Sequence, residues 1–150
     1  MGQSLSKNYL HITFSTKYRQ QFIINSIEDE LYSYLSAICY DLECYPVKIG
    51  GHLDHVHILC LLSKKIALMK LLEEVKSSSS KWIKNKHSSL KTFYWQDGYG
   101  AFSVSPLQVN NVKVYIEKQK EHHRKLTFKD ELRGFLKQNN VNYDERYIWD

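Results

Sequence analysis

Polar and apolar residues alternate along Tyr9-Leu10-His11-Ile12-Thr13-Phe14-Ser15. That period predicts a β-strand with Leu10, Ile12 and Phe14 on one face and Tyr9, His11 and Thr13 on the other. From Ser26 to Asp41 the period becomes helical, through Ile27, Leu31, Leu35 and Ile38, with Ser26 and Asp29 reading as a start signal. Tyr45 to Ile49 predicts a second strand. Gly50 and Gly51 supply a tight bend, and His52 to Leu62 returns as a third strand, so that the two form a hairpin. A second amphipathic helix runs from Ile66 to about Ile83 through Leu68, Leu71, Leu72 and Val75. An aromatic, glycine-punctuated loop at 93–100 leads into a short strand, Ala101 to Ser105. A third helix spans about Pro106 to Arg124, with proline suited to its first turn and Val109, Val112 and Ile116 as its apolar ridge. A fourth runs from Lys129 to Lys137 with Thr127 as its cap. The acidic, aromatic tail, Tyr143 to Trp149, packs back on the body.

Strand, helix, strand, strand, helix, strand and then helices is the order of a ferredoxin-like α+β fold: an antiparallel sheet with helices on one face and extra C-terminal helices. A length of 150 residues fits a single domain, 1–150. In that fold the third strand is central. Val56, Ile58, Cys60 and Leu62 point into the core. His55 and His57 stand side by side on the face that the first two helices leave open. Leu59 and Leu61 share that open face, so the third helix or a second subunit must cover it.

Composition narrows the class. An apolar fraction of 43% and a charged fraction of 25% are those of an ordinary water-soluble domain. A net charge of +5 and a pI near 9.0 favour a polyanionic partner. Eleven tyrosines, six phenylalanines and three tryptophans supply rings for core or for stacking on bases. Cys39, Cys44 and Cys60 make no CxxC pair, which argues for free thiols and a reducing, cytoplasmic compartment. No apolar run is long enough to span a bilayer, and no signal peptide is visible. Lys76, Lys81, Lys84, Lys86 and Lys91 follow one another with no acidic residue among them, interleaved with serines and Trp82, and this one-sidedness suits a phosphate-binding surface.

Two imidazoles on one strand face can grip a metal ion, but a structural pair has the same spacing. The third helix shifts the balance. Tyr115 and Gln119 are four residues apart and share one helix face, with His122 continuing the line. Tyr115 lies about 100° round from the apolar Ile116, so it need not be a core tyrosine.

A paired-histidine strand followed by a helix with Tyr-x-x-x-Gln resembles the HUH single-tyrosine transposases, small insertion-sequence enzymes that act on single-stranded DNA; "U" is a hydrophobic residue, here Val56. The resemblance spans nearly the whole chain. Its blocks are His11-Ile12-Thr13-Phe14-Ser15-Thr16-Lys17-Tyr18-Arg19, Asp54-His55-Val56-His57, Trp95-Gln96-Asp97-Gly98-Tyr99-Gly100-Ala101-Phe102-Ser103, Tyr115 to His123, and Tyr143 to Trp149. It implies one divalent ion, Mg²⁺ or Mn²⁺, held by His55, His57 and the Gln119 amide oxygen. It further implies a Tyr115 nucleophile that forms a 5′-phosphotyrosine and leaves a 3′-hydroxyl, with strand joining that needs no ATP. Single-stranded DNA, folded as hairpins at an element's ends, is the implied partner, with Lys17, Arg19, Lys76, Lys81, Lys84, Lys86, Trp95 and His122 as candidate contacts. It also implies a homodimer in which the tyrosine helix of one subunit completes the partner's site, with Gly98 and Gly100 letting that helix swing.

Related HUH nickases of replication or conjugation, and domesticated repeat-processing relatives, share this metal site. The short chain, with no appended helicase, favours the transposase. A non-enzymatic nucleic-acid-binding module on the same sheet would need neither metal nor Tyr115. A two-histidine phosphoesterase would need a second histidine motif, which His11 and His52 do not supply.

Overall fold

In the computed structural model, which describes residues 2–150, the chain runs β1 (Asn8–Ser15), α1 (Asn25–Asp41), β2 (Pro46–His52), β3 (His55–Leu62), α2 (Leu68–Lys84), β4 (Gly100–Val104), α3 (Val109–Glu117), α4 (Gln119–His122) and α5 (Phe128–Gln138). The strands form one antiparallel sheet in the order β2-β3-β1-β4. This is the ferredoxin-like arrangement, and β3 is central in it. Register places Ser15 opposite His55, Thr13 opposite His57 and His11 opposite Leu59.

Strand alternation sorts the chain into two layers. Ile12 and Phe14 from β1 and Val56, Ile58 and Cys60 from β3 point to one face. They bury there with Ile27, Leu31, Leu35 and Cys39 of α1 and Leu71, Leu72, Val75 and Ile83 of α2. Each fully buried side chain of this size adds about 1.5–3 kcal/mol of hydrophobic stabilisation. Cys39, Cys44 and Cys60 are buried free thiols; burial pushes Cys39 up to about 12 and Cys60 higher, so neither of these two is a ready nucleophile. The opposite face carries His11, Thr13, His55, His57 and Leu59, covered by α3 to α5. Among the described residues no helix is long and apolar enough to cross a membrane.

Several local expectations change. The glycine doublet is not the bend: Gly50 and Gly51 lie within β2, and the turn is Leu53-Asp54. Their role is close approach. A Cβ on Gly50 would sit 2.9 Å from Ile116 Cγ2, and one on Gly51 would strike the His55 carbonyl. The missing side chain lets α3 settle on β2. The first helix begins at Asn25, and Ile24 at its N-cap makes no side-chain bond, so Ser26 sits inside the first turn rather than starting it. The third helix is broken. A short 3₁₀ turn covers Pro106–Gln108, α3 ends at Glu117, and Lys118 (φ −97°, ψ 18°) leaves helical geometry before α4. Tyr115 and Gln119 therefore sit on two elements that meet at Lys118. Leu59 is fully buried within the single chain, beneath the layer to which Ile116 belongs, and needs no second subunit to cover it. Leu61 is half-buried. Gly100 is no hinge: it pairs with Thr13 inside β4, and a Cβ there would lie 2.9 Å from Leu132 Cδ1 on α5.

Thr127 caps α5 as expected, its Oγ1 accepting from Asp130 N at 3.2 Å. Phe128, Leu132 and Leu136 of α5 bury against Phe102, with Ile148 and Trp149 of the tail packed on them. Arg19 Nη1 donates to Trp149 O at 2.7 Å, and Asp97 N and Gly98 N donate to Asp150 O at 2.8 and 3.1 Å.

Candidate metal centre and tyrosine site

His55 and His57 reach the covered face of β3 with no solvent exposure. Each ring has an outer and an inner nitrogen. His55 Nδ1 donates to Asp54 Oδ1 at 2.7 Å, so a carboxylate one residue back in the turn orients it. Its Nε2 points inward, 2.8 Å from Gln119 Oε1 and 3.4 Å from Glu131 Oε1. His57 Nε2 lies 2.9 Å from the same Glu131 oxygen, while its Nδ1 is 2.7 Å from His11 Nε2. Gln119 Nε2 donates to Glu131 Oε2 at 3.0 Å, which turns the amide oxygen toward the imidazoles. The Tyr115 hydroxyl donates to that same Oε2. Glu131 thus divides its oxygens, Oε1 to the histidines and Oε2 to tyrosine and glutamine.

Glu131 is 4% exposed and Gln119 1%. A carboxylate so deep survives as an anion only with strong partners. Burial pushes Glu131 up, but the imidazoles of His123 and His57 against its oxygen outweigh it and hold the group far below the usual carboxylate range. Burial lowers His57, with Glu131 opposing. Burial and then the charge of His57 pull His11 down to about 3, so its ring is neutral. Burial and then the Glu131 charge raise Tyr115 well above an ordinary tyrosine, so its hydroxyl is protonated at rest and needs an acceptor to react. The ring of Tyr115 stacks on His122, with centroids 4.6 Å apart, and stands edge-on to His57 at 6.0 Å.

The donor set fits a divalent cation. Ligand atoms of His55, His57 and Glu131 lie within 4.8 Å of one another. With Nδ1 fixed on Asp54, His55 aims Nε2 at the Gln119 and Glu131 oxygens, so nitrogen and oxygen donors converge on one point. A cation placed there would be coordinated by all of them.

The family described as IS200-like transposase matches residues 4–119. The chain belongs to that family. Its fold is also found in solved structures. It matches a putative transposase from Deinococcus radiodurans R1 at a TM-score of 0.62 with 22% identity, over 79% of this chain and 96% of that one. It matches a REP-associated tyrosine transposase bound to a REP hairpin at a TM-score of 0.60 with 15% identity, over 97% of this chain and 94% of that one. No curated protein matches.

In this IS200-like chain His55, His57, Tyr115 and Gln119 meet in one cluster. Glu131 is the residue that the sequence pattern did not single out, and it lies beyond the matched stretch. Its signal was present: Phe128, Glu131, Leu132, Phe135 and Leu136 form one helical stripe, and a carboxylate on an apolar stripe needs a partner. His11 and Asp54 are further additions, as the groups on the outer nitrogens of the histidine pair.

The other candidates fall into two groups. Trp95 is 6% exposed, its rings edge-on to Phe14 and Phe93 and its Nε1 donating to Ser79 Oγ at 2.9 Å; it belongs to the core. Lys76 Nζ donates to the carbonyls of Gln96, Asp97 and Gly98 at 2.9, 2.9 and 2.7 Å, organising that loop, and burial lowers it to about 8. The rest lie at the surface. Lys81 is exposed, Lys84 Nζ sits 3.9 Å from the Tyr94 ring centre, and Lys86 pairs with Glu30 at 2.6 Å. Lys17 N bonds Tyr94 O at 2.7 Å, so Lys84, Tyr94, Lys17 and the exposed Tyr18 border one another. Thr16 N bonds Asp54 O, which places this strip at the end of the sheet where His55 begins.

Proposed function

We propose that the chain cleaves and rejoins single-stranded DNA at the ends of a mobile element, with Tyr115 as the nucleophile. The observation that carries this reading is the convergence of the Tyr115 hydroxyl with His55, His57 and Gln119 around one buried carboxylate. A binding module has no use for a desolvated tyrosine hydroxyl bonded to a buried glutamate.

His55, His57 and Gln119, with Glu131 Oε1, would hold the divalent ion, Mg²⁺ or Mn²⁺. When bound, it supplies Lewis-acid polarisation of the scissile phosphate and offsets the charge that develops there. The chain's own residues do the rest. Glu131 Oε2, already bonded to the Tyr115 hydroxyl, orients it and is the nearest acceptor for its proton as the bond to phosphorus forms. Tyr115 Oη then forms a bond to phosphorus, the bond from phosphorus to the 3′ oxygen breaks, and that oxygen takes up the proton held on Glu131 and leaves as a 3′-hydroxyl. A 5′-phosphotyrosine remains. Attack by another 3′-hydroxyl reverses the step and returns the proton to Tyr115, so joining needs no ATP. His122, stacked on the tyrosine ring, limits its rotation.

Hairpin DNA is the substrate we favour, because the similar transposase above was solved on one and because this chain presents a basic strip beside the site. Neutralising Lys81, Lys84 and Lys86 together is expected to lower the slope of log affinity against log salt by about 2 to 3, since binding releases about one counterion for each phosphate that a lysine neutralises. An unchanged slope in a binding titration from low to high salt contradicts that surface.

The resemblance implies a homodimer with shared sites. The Tyr115 hydroxyl and His57 Nε2 meet on the two oxygens of the same Glu131, which favours cleavage by each chain's own tyrosine, and that is the arrangement we propose. Mixing His57→Ala with Tyr115→Phe, each inactive alone, is expected to restore no cleavage. Recovery in shown heterodimers establishes exchange of the tyrosine helix.

The reading as a whole is tested by incubating the protein with single-stranded DNA carrying the palindromes that flank its gene, with Mg²⁺ or Mn²⁺. Denaturing gels are expected to show a protein–DNA adduct that EDTA abolishes. Cleavage without an adduct, or one formed equally in EDTA, overturns it.

A further inference from the structure

His123 resembles His55 in how its ring is held, although it lies outside the tightest group, that of His55, His57 and Glu131, whose ligand atoms are all within 4.8 Å of one another. It follows Gln119 by four residues, just past the end of α4, and its side chain is 3% exposed. Its outer nitrogen is fixed: Nδ1 lies 2.6 Å from the carbonyl of Leu126, which only accepts, so Nδ1 carries the proton and donates. The loop before α5 does for His123 what Asp54 does for His55. Its inner nitrogen, Nε2, lies 3.0 Å from Gln119 Oε1 and 3.3 Å from Glu131 Oε1, the same two oxygens that His55 Nε2 faces. The His123 and His55 ring centroids are 4.4 Å apart. Gln119 cannot relieve the crowding by turning over, because its amide nitrogen is held by Glu131 Oε2 at 3.0 Å. Both imidazoles therefore aim a nitrogen at one pair of oxygen acceptors, one from β3 and the other from the end of α4.

We propose that His123 is a third imidazole ligand of the divalent ion, so that the centre is His55, His57 and His123 with oxygens from Gln119 and Glu131. The proposal rests on the metal reading given above and deepens it. Such a set is richer in nitrogen than the pair of histidines alone suggests, and suits an ion that accepts imidazole as well as carboxylate, Mn²⁺ among them. It also gives α4 and the 123–127 loop a purpose: the chain leaves helical geometry at Lys118 and turns so that Gln119 and His123 reach the centre together while Tyr115 keeps its own place.

The alternative is that His123 is a charged imidazolium serving only as a counter-ion to Glu131, and the two roles predict opposite results. The measurement is Mn²⁺ binding to the wild-type protein, by calorimetry and by pulsed electron paramagnetic resonance, which counts the imidazole nitrogens on the ion. Three coordinated nitrogens are expected. His123→Ala is expected to reduce the count to two and to weaken Mn²⁺ by at least about tenfold, the low end of the cost of losing even an outer-shell partner. Two nitrogens in the wild type overturn the proposal, with no variant needed. So does an Mn²⁺ affinity that is unchanged or improved in His123→Ala, which is what removal of a counter-ion predicts. If the wild-type protein binds no Mn²⁺, the metal reading itself fails and the proposal falls with it. A wild type that binds through two nitrogens leaves the metal reading intact and removes His123 alone.

Discussion

Tyr115→Phe is expected to fold, to bind hairpin DNA with wild-type affinity, and to form no covalent adduct, with cleavage reduced by at least about 10⁴-fold. The size of the effect follows from the proposed chemistry, in which the hydroxyl oxygen is the atom that becomes bonded to phosphorus and no neighbouring group replaces it. His122 stacks on the ring but offers no oxygen, and the phenyl ring keeps that stack. The fold survives because α3 is anchored by Ile116, 2% exposed and lying against Gly50, rather than by the tyrosine. Removing the hydrogen bond to Glu131 costs about 1–3 kcal/mol, since the acceptor is charged but keeps Gln119 on the same oxygen. The checks are a thermal melt, a binding titration and a denaturing gel on the same preparation. A normal adduct yield in this variant removes Tyr115 from its assigned role.

His57→Ala is expected to abolish cleavage and divalent-ion binding together. Hairpin binding stays within a few-fold of wild type, because phosphate contacts on the basic strip carry most of the affinity. This substitution also tests how the buried cluster is held. His57 Nε2 lies on Glu131 Oε1 at 2.9 Å, so its removal leaves a buried carboxylate short of a partner and opens a cavity beneath α3. A loss of about 3 kcal/mol in unfolding free energy is the expected scale. Glu131→Gln in the same background removes the stranded charge and is expected to recover part of that loss without recovering cleavage. Activity in His57→Ala, or in the wild type under EDTA, contradicts a metal role for the pair.

Much of this was readable from residues alone, because the signals were local. Alternation fixed which face of β3 carries His55 and His57, whereas the register that sets Thr13 opposite His57 emerges only in the folded sheet. The Tyr115 and Gln119 pair was visible as a four-residue spacing, although the helix expected to carry both is broken at Lys118. What spacing could not show was partnership across the fold. Glu131 comes from a helix 74 residues after His57, and only the packing of α5 on Phe102 and Gly100 brings its carboxylate under the imidazoles. Glycines misled for a related reason. Gly50 and Gly51 looked like a bend because a sequence shows conformational freedom but not close approach, and here the missing Cβ is what matters. Lys76 and Trp95 looked like surface contacts, since a lysine near an aromatic loop reads the same whether its ammonium faces DNA or caps three carbonyls.

The central claim is that the Tyr115 oxygen becomes bonded to the 5′-phosphate of cleaved DNA. The most direct measurement is to trap the adduct formed with single-stranded DNA and a divalent ion, digest both components, and locate the nucleotide-bearing peptide by mass spectrometry. The account predicts a single modified peptide, the one containing Tyr115, carrying a 5′-linked nucleotide. A nucleotide mapped to any of the other ten tyrosines, or to a serine or histidine, contradicts it.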